Sequence, residues 1–362
     1  MPLVAHNELP TYQRLLDEGL PMLSVERAAM QDIRPLHIGL LNMMPDAALS
    51  ATERQFFRLV GSSNSISQFY MHPFTIDSVK RSDWAQTRVD DYYESFDAIK
   101  ARGLDALIIS GANVTEANLA KEVFWDDLVE VMDWAHDNVT STLCSCLATH
   151  AAALHKHQLQ RYQLPKKRWG AFEHDVVCSD HPLVKSLNTK VTVPHSRFNQ
   201  IDRQAFESCG MHVLIESKQG DVQLIVSPDG FRTVYFQGHP EYDHVSLMKE
   251  HRREVGRYIN QEIKDYPPVP ENYYDAYSMA VLSEYRSALD VAIAENVPQK
   301  QFPQFPAELL TKRLHNTWHD SGKSLVGNWV GLVYQLTHKS VNKPFMDGID
   351  PDDALGWLAS RL

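Results

Sequence analysis

The apolar positions fall into short, nearly continuous runs separated by amphipathic stretches. That alternation predicts a mostly parallel sheet covered by helices on both faces. The first clear run is Leu36-His37-Ile38-Gly39-Leu40-Leu41-Asn42, followed by a helical stretch around 50–60. Further strands are expected at 66–71 and 106–109, and helices at 92–102 and 124–136. A strand over 139–146 then passes at once into a small-residue helix, Leu147-Ala148-Thr149-His150-Ala151-Ala152-Ala153. From about 173 to 237 the pattern changes to shorter β-like runs, among them 213–215 and 222–226, with Pro228-Asp229-Gly230 as a turn. After Tyr242 a long helix is expected to about 263, broken by Tyr266-Pro267-Pro268-Val269-Pro270. The organisation expected is an irregular N-terminal arm over 1–34, an α/β catalytic core over 35–265, and a mostly helical C-terminal extension over 266–362 packed on that core.

Composition narrows the classes of function. Of 362 residues, 43% are hydrophobic and 22% charged, the balance of an ordinary globular protein with a sizeable core. The net charge of −11, with no long basic run, argues against nucleic acid as a partner. No apolar run is long enough for a membrane span and no early leader pattern is present, so a cytoplasmic protein without membrane partners is expected. The four cysteines, Cys144, Cys146, Cys178 and Cys209, have the spacing of neither a disulfide framework nor a structural zinc site, and no metal is expected.

Candidate chemistry lies at strand ends. Cys146 closes one apolar run just before a helix, where backbone N–H groups favour a thiolate. The run Thr233-Val234-Tyr235-Phe236-Gln237 ends in Gly238-His239-Pro240-Glu241-Tyr242-Asp243, which supplies His239 as base and Glu241 to orient it. The loop Gly111-Ala112-Asn113-Val114 follows a third strand. A backbone N–H there, at Val114, would pair with that of Leu147 as an oxyanion hole. Each residue alone has an ordinary explanation: a buried small thiol, a turn histidine, a surface acid. The conjunction carries the reading. Cys144 is the competing thiol, expected deeper in the sheet.

These residues resemble the homoserine O-succinyltransferase family, which is related to class I glutamine amidotransferases. The resemblance runs in order through Ile33-Arg34-Pro35-Leu36, Leu41-Asn42-Met43-Met44-Pro45 and Thr52-Glu53-Arg54-Gln55. It continues through Lys167-Arg168-Trp169-Gly170-Ala171-Phe172-Glu173-His174, Pro194-His195-Ser196-Arg197, the His239 segment and a block from 318 to 337. It implies a flavodoxin-like, class I glutamine amidotransferase-like fold. It further implies acyl transfer from succinyl-coenzyme A to L-homoserine through a Cys146 thioester, with acetyl-coenzyme A as alternative donor and serine as alternative acceptor. Lys167, Ser196 and Arg253 match substrate-binding positions, and a homodimer without bound cofactor is implied. A glutaminase is the competing enzyme class, although its elbows usually read Gly-x-Cys-x-Gly, whereas here Cys144-Ser145-Cys146-Leu147-Ala148 stands.

The chain departs from the family pattern at several points. Leu147 and His150 stand where Trp and Gln are common. Thr115 occupies the position that selects the acyl donor, where Gly goes with succinyl and Glu with acetyl. Thr is small and neutral, and so leans towards succinyl. A helical insert over 276–310 is expected to lack a family counterpart, and either to shape an oligomer interface or to cover the cleft.

Overall fold

The computed structural model describes residues 3–361. Eleven strands form one sheet: β1 (Leu3–Ala5), β2 (Met22–Ser24), β3 (Leu36–Leu41), β4 (Phe69–Phe74), β5 (Ala106–Ile109), β6 (Ser141–Ser145), β7 (Tyr162–Val176), β8 (Lys190–Gln200), β9 (His212–Glu216), β10 (Val222–Val226) and β11 (Thr233–Phe236). Their order is β2-β1-β4-β3-β5-β6-β11-β10-β9-β7-β8. From β2 to β11 all neighbours are parallel, and from β11 to β8 all are antiparallel.

Period-two alternation sends side chains of the central strands into two separate cores. Ile38, Leu40, Ile108 and Leu143 enter one, under helices Asp46–Ser63 and His319–Leu336. Leu41, Leu107, Ile109 and Cys144 enter the other, under Trp125–Asn138 and Leu147–His157. Strands buried on both faces read as unbroken apolar runs, which is why the pattern located β3, β5, β6 and β10 so closely.

Several elements differ from expectation, each for a local reason. The strand expected at 66–71 begins only at Phe69, because the Asn64 side chain accepts from the N–H groups of Ile66 and Ser67 and turns the chain there. The helix expected over 92–102 is two, Asp83–Tyr92 and Phe96–Arg102. Tyr93 is extended, and Ser95 caps the second helix through Ala98 N at 3.2 Å. The β-rich region starts at Tyr162 rather than 173, with the long β7/β8 hairpin. Residues 3–5 and 22–24, expected in an irregular arm, are strands paired with each other, with β1 joined to β4 and β2 at the sheet edge.

Candidate active site

β6 and β11 lie side by side in parallel register, with Ser145 opposite Phe236. The two segments that leave their carboxyl ends therefore emerge together: Cys146 from one, Gln237-Gly238-His239 from the other. Such strand ends are where ligands bind in open α/β sheets. Cys146 N donates to Phe236 O at 2.6 Å, which joins the corner to the neighbouring strand. The corner holds Cys146 at φ 52°, ψ −106°, a left-handed conformation uncommon for a residue with a Cβ. Thr149, one turn into the helix, donates its hydroxyl to Cys144 O (3.0 Å) and Phe236 O (3.1 Å), fixing the corner from beneath.

His239 is buried and its Nδ1 lies 2.7 Å from Glu241 Oε1. Its backbone N–H donates to Pro194 O at 2.8 Å, while Gly238 N donates to Gln223 Oε1 at 2.7 Å. The Cys146 side chain also acts electrostatically on the imidazole. Burial alone would push the His239 pKa down, but Cys146 and Glu241 outweigh it and hold the pKa well above the ordinary imidazole value. The imidazole is thus held towards its protonated form at the strand end that carries Cys146. Cys144 is fully buried and its thiol is pushed up to about 12 by burial, which leaves it a poor nucleophile.

The loop after β5 borders Cys146, since a Cβ built on Gly111 would stand 4.0 Å from Cys146 Cβ. Leu147 is the first residue of its helix, so its N–H has no intrahelical acceptor. Thr115 N and Glu116 N both donate to Glu122 Oε1, at 2.7 and 2.6 Å, which anchors the loop just beyond Val114 and removes those two groups as oxyanion donors. The Thr115 residue itself is exposed.

Lys167 and Ser196 come together on the β7/β8 hairpin through a residue that sequence reasoning missed. Glu250, on helix Ser246–Ile259, accepts from Ser196 Oγ at 2.6 Å and from Lys167 Nζ at 3.4 Å. Its other oxygen accepts from Tyr242 OH at 2.8 Å, and the Tyr242 ring stacks on His239 with centroids 4.3 Å apart. Burial would raise the Glu250 carboxyl, but Lys167, Ser196 and Tyr242 hold its pKa below the usual value. The signal available in the sequence was an acid three residues after Leu247, on the edge of that helix's apolar stripe. Arg253 is not drawn into this group: its side chain is 63% exposed and forks onto Glu254 at 3.2 and 3.3 Å.

Two arginines were also missed. Arg197 is buried and bonded to Asp221, Asn199 O and Gln200, while Arg161 donates to Glu116 O at 3.1 Å; both couple electrostatically to Cys146. The Thr52-Glu53-Arg54-Gln55 block serves as a brace. Arg54 and Arg58 both pair with Asp243, and Arg58 donates to Glu241 O at 3.1 Å. Away from the cleft, a cavity of about 460 Å³ lies between helices Trp125–Asn138 and Leu147–His157, at the amino ends of β6 and β11, with Cys144 and Tyr235 among its lining residues and Cys146 outside it.

Together, fold and geometry define an α/β enzyme with an elbow cysteine. Over residues 2–339 the sequence matches the family described as homoserine O-succinyltransferase, and the chain belongs to that family. Proteins named homoserine O-succinyltransferase from Allochromatium vinosum and Methylococcus capsulatus are each 56% identical to it, over 98% of this chain and 99% of their own. One from Cardiobacterium hominis is 47% identical over 99% of each chain. Residues 276–310, expected to lack a family counterpart, lie inside this shared span. Among solved structures, a glutamine amidotransferase from Methylobacillus flagellatus aligns with 83% of this chain and 95% of its own, at TM-score 0.44 and 11% identity.

Proposed function

We propose that this protein transfers a succinyl group from succinyl-coenzyme A to the hydroxyl of L-homoserine, in two steps through a Cys146 thioester. The observation that carries the reading is the Cys146–His239–Glu241 alignment at adjacent strand ends, with the His239–Glu241 contact at 2.7 Å. The names of its full-length relatives supply donor and acceptor.

In the first step the Cys146 thiolate attacks the acyl carbonyl. The new carbon–sulfur bond forms, the bond to coenzyme A breaks, and His239 protonates the departing thiolate. N–H groups at Leu147 and Val114 face the oxyanion. In the second step His239, now neutral, accepts the hydroxyl proton as the acceptor oxygen attacks the thioester carbon. The Cys146–carbon bond breaks, which restores the thiolate and the imidazolium. Glu241 stabilises the imidazolium whenever it forms.

The acceptor site is Ser196, Lys167 and Glu250. Glu250 offers a buried carboxylate to the acceptor ammonium. Lys167 receives the acceptor carboxylate, and Arg253 does so too by exchanging Glu254 for the ligand. Thr115 leaves room for the succinyl chain. No metal enters any step, and succinyl-coenzyme A acts as substrate rather than resident cofactor. A homodimer working in the cytoplasm completes the proposal. Among the described residues no helix is long and apolar enough to cross a membrane.

The test is product analysis with each donor and acceptor in turn. O-succinylhomoserine formation, with parallel double-reciprocal lines when both substrates are varied, is the expected result. Preference for acetyl-coenzyme A or serine would replace donor or acceptor. Ammonia release from glutamine, with no coenzyme A formed, would replace the reaction class.

A further inference from the structure

A succinyl group carries a carboxylate three bonds beyond its thioester carbon, and a neutral Thr115 tolerates that charge without binding it. Somewhere near Cys146 a cation is needed that is free to receive it. Among the described residues, Cys146 acts electrostatically on His239, Arg197 and Arg161. His239 is committed to Glu241. Arg197 is saturated, with Asp221 at 2.9 Å, Asn199 O at 2.9 Å and Gln200 Oε1 at 3.1 Å, and has nothing left for a ligand.

Arg161 differs from both. One terminal nitrogen donates to Glu116 O at 3.1 Å and Ala117 O at 3.5 Å, which lays the guanidinium against the loop that carries Val114 and Thr115. Its Nε is buried without a partner, and among the described residues it forms no ion pair. The acid whose field acts on it, Glu122, is engaged by the N–H groups of Thr115 and Glu116. A half-buried guanidinium with an unused donor, held against the loop whose Gly111 end borders Cys146, lacks only an anion.

We propose that Arg161 is the specificity-determining residue that receives the distal carboxylate of a dicarboxylic acyl group while its other end is joined to Cys146. This rests on the acyl-transfer reading above and adds to it the group that recognises the donor. Thr115 then acts by leaving the path open, and Arg161 by supplying the charge. The backbone bonds to Glu116 and Ala117 hold the fork in place before the donor arrives.

The test compares succinyl-coenzyme A with butyryl-coenzyme A, which has the same chain length and no terminal charge. The kcat/KM for coenzyme A release in the presence of homoserine is measured for the wild type, Arg161→Gln and Arg161→Lys, with thermal melting as the folding control. In Arg161→Gln the succinyl-to-butyryl ratio is expected to fall about 100-fold, with partial recovery in Arg161→Lys. An unchanged ratio in Arg161→Gln would overturn the inference, whatever happens to overall rate. So would a wild type that prefers butyryl. Failure of the wild type to form an acyl-enzyme would remove the thioester step while leaving the donor ratio, and hence Arg161, to be judged separately.

Discussion

At the scale of the residue, the proposed chemistry depends on charge placement around Cys146. Because His239 is held above its unfolded value, its contribution to stability is fully present below about pH 6.5 and is lost as pH rises through its folded value. Replacing Glu241 by Gln should therefore lower the pH at which the His239 ring loses its proton, read by NMR titration, and reduce acyl transfer by about 100-fold or more. His150 works in the opposite sense. It is buried, bonded to Gln237 Oε1 at 2.9 Å, and burial lowers its pKa to about 3. The unfolded chain binds a proton there first, so stability is lost as pH falls below about 6.5, by about 1.4 kcal/mol per pH unit. Denaturant unfolding of His150→Gln at several pH values should show a gap over the wild type that widens towards pH 5. Cys146, His239 and Glu241 were legible in the sequence because each stands at the end of an apolar run or two positions from its neighbour. Glu250 and Arg161 were not, because their roles arise only when segments 44 or more residues apart are brought together.

At the scale of the element, two adjacent strand ends place the candidate triad, and glycine at 238 lets them do so. A Cβ there would meet Val193 Cγ1 at 2.5 Å, Gln223 Oε1 at 2.7 Å and Pro194 O at 2.7 Å, so the chain fits between β8 and β10 only without one. Gly238→Ala should displace the His239 segment, lowering kcat by about tenfold or more at a temperature where the variant is folded, with a melting temperature reduced by a few degrees as for a loss of about 2 kcal/mol. The central strands were readable from pattern alone, since burial on both faces leaves no polar interruption. The ends of β4 and the break at Tyr93 were not, because single capping side chains, Asn64 and Ser95, set them.

At the scale of the whole molecule, the C-terminal helix belongs to the main core. Trp329 is fully buried among Ile38, Leu40 and Leu143, and its Nε1 donates to Ser141 Oγ at 2.9 Å. Trp318 Nε1 donates to Tyr242 O at 2.8 Å, so the same region also supports the His239 segment. Trp329→Ala should destabilise the protein by about 3–5 kcal/mol in denaturant titration, and a chain ending at 265 should not fold, since the part of the sheet face under His319–Leu336 would stand bare. The sequence marked this region as helical but not as core, because a helix's partner is not written in its own periodicity. The central claim remains the acyl-enzyme. It is tested most directly by the intact mass of the protein after brief mixing with succinyl-coenzyme A and no acceptor. A gain of one succinyl group is expected, absent in Cys146→Ala and discharged on adding homoserine. No adduct in the wild type, while coenzyme A is still released once homoserine is present, would contradict it.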